Sequence, residues 1–382
     1  MRKNYADQFP QQKGLIYLNH AAVAPWPRQT AEAVKCFAEE NVITGAWHYS
    51  HWIETEKQLR ELACHLINAP SIDDIALIKN TSEGLSIIAS GLEWQPGDNI
   101  VTSDQEFPSN RIPWQALAER GVELREANLS AEPTPEDALL AQVDEHTRLL
   151  TISSVQYASG LRMDLERLGQ FCQQRKLLFC VDAIQSLGAL DFDCQANHAD
   201  FVIADGHKWM LGPEGMGIFY CRPEAREKLN LHQFGWHMIE AIGDYNRKDW
   251  KIAPSARRFE CGSLNMIGIV ALKESLSLLL DKVGIACIEQ AVLANATYLI
   301  EQIQAEPSLQ LLSPHSPGRR SGIVTFKRQG ADPVVLHRYL MDQGVVCAHR
   351  GGGIRFSPHF YTPREGLKQA LKLISKLPES AV

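Results

Sequence analysis

A chain of 382 residues, 45% hydrophobic and 22% charged, has the composition of a soluble globular protein with room for one large domain and a smaller one. Its net charge of −7 argues against nucleic acid or an acidic membrane surface as a partner. The N-terminal residues lack the apolar core of a signal peptide, no run is long enough to span a bilayer, and the nine cysteines show no C-x-x-C spacing, so the chain is expected in the cytoplasm with its thiols reduced.

Residues 15–18 are a short apolar strand candidate, followed by the small-residue turn Asn19-His20-Ala21-Ala22-Val23-Ala24-Pro25. Residues 30–40 and 54–67 carry helical spacing, and in the second Leu59, Leu62, Ala63, Leu66 and Ile67 share one face. The aromatic stretch 45–52 between them either packs the helices or reaches an active site. Residues 75–78 read as a buried strand, after which Asn80-Thr81-Ser82-Glu83-Gly84 opens a helix. Such a helix start offers free N–H groups and two hydroxyls to a phosphate, although a plain helix cap has the same residues. Further strands are expected at 99–102 and 149–154, with a helix at 164–175.

Two apolar runs then frame the most informative stretch. Residues 177–181 end in Asp182, and residues 199–204 end in Asp205-Gly206-His207-Lys208. Neither run alternates, as expected for strands buried on both faces, and open parallel sheets gather ligands at their C-terminal edge. An Asp at such an edge can pair with a pyridinium nitrogen, and a nearby Lys can form a Schiff base with an aldehyde. Asp182 and Lys208 fit these two roles in a pyridoxal phosphate site, Gln185 is placed to donate to the ring hydroxyl, and His207 to reach the phosphate. Taken alone, the pair also reads as a helix cap and an exposed loop lysine.

Beyond it, residues 218–221 and 322–326 read as strands, and 265–280, 286–304 and 333–343 as helices. Residues 345–348 form a strand leading to Arg350-Gly351-Gly352-Gly353-Ile354-Arg355. His237, in Phe234-Gly235-Trp236-His237-Met238, reads as a packed histidine or a proton carrier. No H-E-x-x-H, zinc-type spacing or Walker loop is present, so no metal is expected. Gly212-Pro213-Glu214-Gly215-Met216-Gly217 is not a dinucleotide-binding G-x-G-x-x-G, and it precedes a strand rather than opening a helix.

The residues VDAIQSLGAL and ADFVIADGHKWMLGPEGMGIFY resemble the class V aminotransferase family of fold-type I pyridoxal phosphate enzymes, and the likeness extends over roughly residues 15–361. It implies an α/β fold: a large domain, 14–256, with a mostly parallel seven-stranded sheet between helices, and a smaller C-terminal α+β domain, 257–382, against which residues 1–13 pack. It implies pyridoxal 5'-phosphate as cofactor. By the same resemblance Thr81 and Ser82 cradle the phosphate, Phe107 lies on the ring face where desulfurases usually place a His, and Gln156 stands near the ring hydroxyl. Asn19 or His20 lies on the substrate side, and Arg355 holds the substrate α-carboxylate, with Arg350 a second candidate. The segment FECGSLN places Ser263 where the neighbouring subunit supplies a hydroxyl to the phosphate, implying a homodimer with shared active sites. Asp205 replaces a frequent Ser and is expected to turn away from the phosphate, toward the turn backbone or His207.

The resemblance implies chemistry at Cα of a free amino acid. Desulfurases carry a mobile loop with a nucleophilic Cys between the two arginines. Only Gly351-Gly352-Gly353-Ile354 lie there in this chain, and Cys347 precedes them. The expected activity is therefore transamination or β-elimination of the C–S lyase type. The alternatives are an epimerase or a cysteine desulfurase-like protein and, in a different class, a binding protein that has lost turnover.

Overall fold

The computed structural model describes residues 5–130 and 133–376. Residues 1–4 of the expected N-terminal segment and 377–382 of the expected C-terminal domain lie outside the described residues. Seven strands form the main sheet: β1 (Ile75–Ile78), β2 (Asn99–Ser103), β3 (Glu123–Ala127), β4 (Thr147–Ser153), β5 (Leu178–Asp182), β6 (Phe201–Asp205) and β7 (Gly217–Cys221). Their order is β1-β7-β6-β5-β4-β2-β3, parallel throughout except for β7, which is antiparallel to both its neighbours. This is the mostly parallel sheet that the sequence leads one to expect.

Strands β5 and β6 are buried at every residue, because apolar clusters cover both faces of the sheet. Their side chains therefore need no polar alternation. Strand β3, by contrast, is polar and partly exposed at the sheet edge, and no strand is expected there from the sequence. An edge strand of this composition resists pairing with other chains.

A second, antiparallel sheet has the order β10-β11-β9-β8, built from β8 (Leu309–Leu311), β9 (Val324–Arg328), β10 (Ala348–Arg350) and β11 (Gly353–Phe356). Its apolar cluster includes Ile16 and Leu18, and Ile16–Tyr17 pairs in parallel with Val345–Val346. The Phe9 ring stacks on Tyr361, and the Tyr5 hydroxyl donates to the Lys282 carbonyl. The aromatic stretch 45–52 is a turn at 45–48 followed by the start of the helix Tyr49–Leu66, and it does not line the main cavity. No helix among the described residues is long and apolar enough to cross a membrane.

Candidate active site

The C-terminal edge of the main sheet opens into a cavity of about 250 Å³. Adjacent parallel pairing sets Ser153 beside Asp182 and Asp182 beside Ile203, so Asp182 and the Asp205–Lys208 turn emerge at one edge. The turn is held by the Gly206 N–H donating to the Met216 carbonyl. A Cβ on Gly206 would lie 2.8 Å from that same oxygen, so a side chain there would push the backbone apart.

Of the residues singled out from the sequence, Thr81, Ser82, Phe107, Asp182, Gln185, His207, Lys208 and Arg355 line this one cavity, as does Arg350. The Lys208 Nζ lies 5.7 Å from the centre of the Phe107 ring. Burial pulls the Lys208 amine below its ordinary range, opposed by Asp182 and Asp205 and reinforced by Arg355. Burial pushes the Asp182 carboxyl up, with Glu106 adding to the effect while the Ile184 N–H and Lys208 oppose it. One Asp182 oxygen accepts from the Ile184 N–H at 3.0 Å.

The helix Thr81–Gly91 points its N-terminus into the cavity, capped by the Asn80 side chain accepting from the Glu83 N–H. The first N–H groups of a helix have no partner within it, which leaves those of Thr81 and Ser82 for an anion. The Thr81 hydroxyl accepts from the Asp205 N–H at 3.2 Å, and the Ser82 hydroxyl donates to that of Ser109 at 2.9 Å. Asp205 Oδ1 lies 3.1 Å from His207 Nδ1, yet the two are misaligned for a hydrogen bond, and both atoms are buried without another partner. Gln185 donates to the Ala21 carbonyl and accepts from the Trp209 indole, which fixes its amide plane.

Five residues stand apart from the cavity. His20 is a correction: both its ring nitrogens are engaged, one with the Ser357 carbonyl and one with the Tyr361 hydroxyl, and it is fully buried. Burial holds its imidazole pKa well below the ordinary value, and its ring does not line the cavity. Asn19 keeps a buried Oδ1 without a partner. Gln156 is fully buried just behind the wall, donating to Glu106 at 2.7 Å and leaving its Oε1 unpartnered. Ser263 is exposed on this chain and does not line the cavity. His237 lies 3.4 Å from Glu260, in a buried group whose carboxylates are paired with Arg60.

One important residue escapes the sequence reading. Glu106 is buried and accepts five hydrogen bonds, from the Ser103 and Ser153 hydroxyls, the Ser153 N–H, and the Asn110 and Gln156 amides. It ties β2 to β4 at Ser153, the residue paired with Asp182 across the sheet. The signal available was its position just past the end of a buried strand. Replacing Glu106 with Ala leaves these donors unsatisfied and is expected to lower the apoprotein's stability by about 2–5 kcal/mol, read from urea unfolding; a change within about 0.5 kcal/mol would show the network to be dispensable.

The donor set fits pyridoxal phosphate. A buried carboxylate with one free oxygen suits a protonated ring nitrogen, a helix N-terminus suits the phosphate, an aromatic face suits the ring, and the partnerless Arg355 Nε is a buried polar atom in the cavity wall that calls for a ligand.

The sequence matches the aminotransferase class-V family over residues 16–369. It is 30% identical over 379 residues to a probable cysteine desulfurase of Methanothermobacter thermautotrophicus, covering 92% of each chain. It is 32% identical over 364 residues to a cysteine desulfurase of Salmonella agona, covering 91% of this chain and 85% of that protein. Among solved structures, the fold is shared by the cystine C–S lyase C-DES bound to its product cysteine persulfide (TM-score 0.89, 23% identity, 96% and 99% of the two chains). It is shared too by the cysteine desulfurase CsdA of Escherichia coli (TM-score 0.86, 21% identity, 97% and 96%). With nearly the whole chain matched and the sheet-edge cavity carrying Asp182 and Lys208, this protein belongs to the class-V aminotransferase family.

Proposed function

We propose that this pyridoxal-phosphate-dependent enzyme breaks the C–S bond of a free cysteine-type α-amino acid by β-elimination, without passing sulfur to a cysteine of its own. The names of its relatives weigh toward the desulfurase alternative and against transamination. The observation that carries the reading is the segment between the two cavity arginines. Arg350 ends β10 and Gly353 begins β11, so the hairpin loop is Gly351-Gly352, both with positive φ. That two-residue loop holds no cysteine, and among the described residues no cysteine lines the cavity. Cys347 is buried, which pushes its thiol up to about 12 and keeps it unreactive.

When bound, the cofactor supplies an electrophilic carbon for the substrate amine and an electron sink for the charge left at Cα. Arg355 grips the substrate carboxylate; its Nη1 already donates to the Tyr157 carbonyl at 2.7 Å, which fixes the guanidinium plane. Lys208 Nζ takes the Cα proton, and the Cβ–S bond breaks with the electron pair leaving on sulfur. Asp182 would keep the ring nitrogen protonated, Phe107 would cover the ring, Thr81, Ser82 and His207 would hold the phosphate, and Gln185, with Gln156 behind the wall, would hold the ring hydroxyl. Ser263 reaches the phosphate of a second copy in a homodimer. Exposed Val42, Ile43 and Trp47 (86%, 70% and 81%) offer apolar surface for such an interface. The nine cysteines, all unpaired, fit a reducing compartment.

The test is product analysis with L-cysteine and L-cystine. The expected products are pyruvate, ammonia and reduced sulfur or a persulfide, with no alanine. Alanine together with an enzyme-bound persulfide would establish desulfuration through a cysteine, and accumulation of the aminated cofactor with a sulfur-containing keto acid would establish transamination.

A further inference from the structure

Elimination leaves an electron pair on sulfur, and the residues named so far leave that charge unassisted. Phe107 carries no exchangeable proton. Beside it stands Tyr157, its ring edge-on to the Phe107 ring, with centres 5.2 Å apart and planes at 79°. Tyr157 is partly buried and lines the cavity. Among the described residues, nothing donates to its hydroxyl or accepts from it. That oxygen also lies close enough to Arg355 for a charge on it to act on the guanidinium.

Most other donors facing the cavity are assigned or partnered. Thr81, Ser82 and His207 stand where the phosphate would go, Lys208 moves the Cα proton, and Arg355 grips the carboxylate. The Ser153 hydroxyl donates to Glu106, and the Gln185 amide donates to the Ala21 carbonyl. Arg350 is exposed and donates to the His349 carbonyl. An amino acid anchored through its carboxylate at Arg355, with its amine toward Lys208, turns its side chain to the remaining wall, where Tyr157 stands.

The backbone beneath this ring is held in place. The carbonyls of Tyr157, Ala158, Ser159 and Gly160 each accept from a different side chain, respectively Arg355 at 2.7 Å, Thr325 at 2.6 Å, Ser313, and Ser321 at 2.8 Å. Gly160 ends the run at φ +75°, and a Cβ there would lie 2.6 Å from the Ile323 carbonyl oxygen, so only glycine lets the two segments meet this closely. A donor fixed before charge develops needs little reorganisation when the charge appears, which is the condition for stabilising a transition state.

We infer that Tyr157 is a further catalytic residue, whose hydroxyl donates a hydrogen bond to the sulfur as the Cβ–S bond breaks. The role rests on the C–S lyase reading. Lys208 takes the Cα proton, the electron pair freed at Cα closes the Cα–Cβ double bond, and both electrons of the Cβ–S bond go to sulfur. The phenolic proton stays on oxygen, since a phenol is ordinarily a weaker acid than a thiol. The thiolate then leaves and takes its proton from water. The hydrogen bond matters most when the departing thiol is a weak acid, because its thiolate carries the most concentrated charge.

The test compares S-ethyl-L-cysteine with S-(2,2,2-trifluoroethyl)-L-cysteine on the holoenzyme. The two are close in size, but the fluorinated thiol is much the stronger acid and leaves with less help. Thiol release gives kcat and KM for each. Tyr157→Phe keeps the ring and loses only the hydroxyl; it is expected to lower kcat about 10–100-fold on the ethyl compound and less than about threefold on the trifluoroethyl compound. Exchange of the Cα proton of L-alanine into deuterated water involves no leaving group, so it should change less than about threefold in the variant. Equal losses on both sulfur compounds, or no loss on either, overturn the role of Tyr157 and leave the lyase reading in place. Wild-type enzyme that exchanges the Cα proton but releases no thiol from either compound overturns the lyase reading, and this role with it.

Discussion

Lys208→Ala is expected to lower turnover at least about 10³-fold while leaving the fold intact. One side chain is asked both to hold the cofactor and to move the Cα proton, and a positioned acid–base group alone contributes roughly 10²–10⁴. Lys208 can do this near neutral pH because burial and the Arg355 charge favour its neutral form. The sign follows directly. A lysine whose pKa is lowered becomes nucleophilic at a lower pH than an exposed one, so cofactor loading onto the apoprotein should rise with pH below the ordinary lysine range. Arg355→Gln removes one of the charges that lower it and should move that rise upward in pH. A loading curve that stays in place in Arg355→Gln, or a Lys208→Ala enzyme within about tenfold of wild type, contradicts these roles.

Asp182→Asn is expected to cost roughly 10²–10³-fold in kcat, the scale of removing one preorganised electrostatic partner from a buried site. The asparagine keeps shape and volume but cannot hold a counter-charge to a protonated ring nitrogen. Asp182 needs that partner more than most carboxylates, since burial, Glu106 and Asp205 all oppose its charge in the empty cavity. Binding the cofactor therefore supplies the cation that the site lacks. If Asp182→Asn weakens cofactor affinity while kcat is retained, Asp182 is an anchor and not part of the electron sink.

What the sequence made legible follows from how locally each feature is encoded. Asp182 ends β5 and Lys208 follows three residues after the end of β6, and both strands are apolar and completely buried, so their position at the sheet edge could be read from the order of residues. Thr81 and Ser82 head a helix directly after a buried strand, which is again a local signal. Glu106 was not legible in the same way: it accepts from Ser153 and Gln156, 47 and 50 residues away, and such pairings exist only in the folded sheet. His20 shows the converse error. Its motif sits beside the cavity, where Ala21 and Ala22 form part of the wall, but its ring turns inward to partners 337 and 341 residues away. Strand β3 carries too little apolar pattern to announce itself, because an edge strand buries little.

The most direct single measurement is to reduce the holoprotein with borohydride, digest it, and map the cofactor adduct by mass spectrometry. The expected result is one modified peptide, carrying pyridoxal phosphate on Lys208. An adduct on another lysine, or none after incubation with excess cofactor, would contradict the assignment of this cavity as the catalytic site.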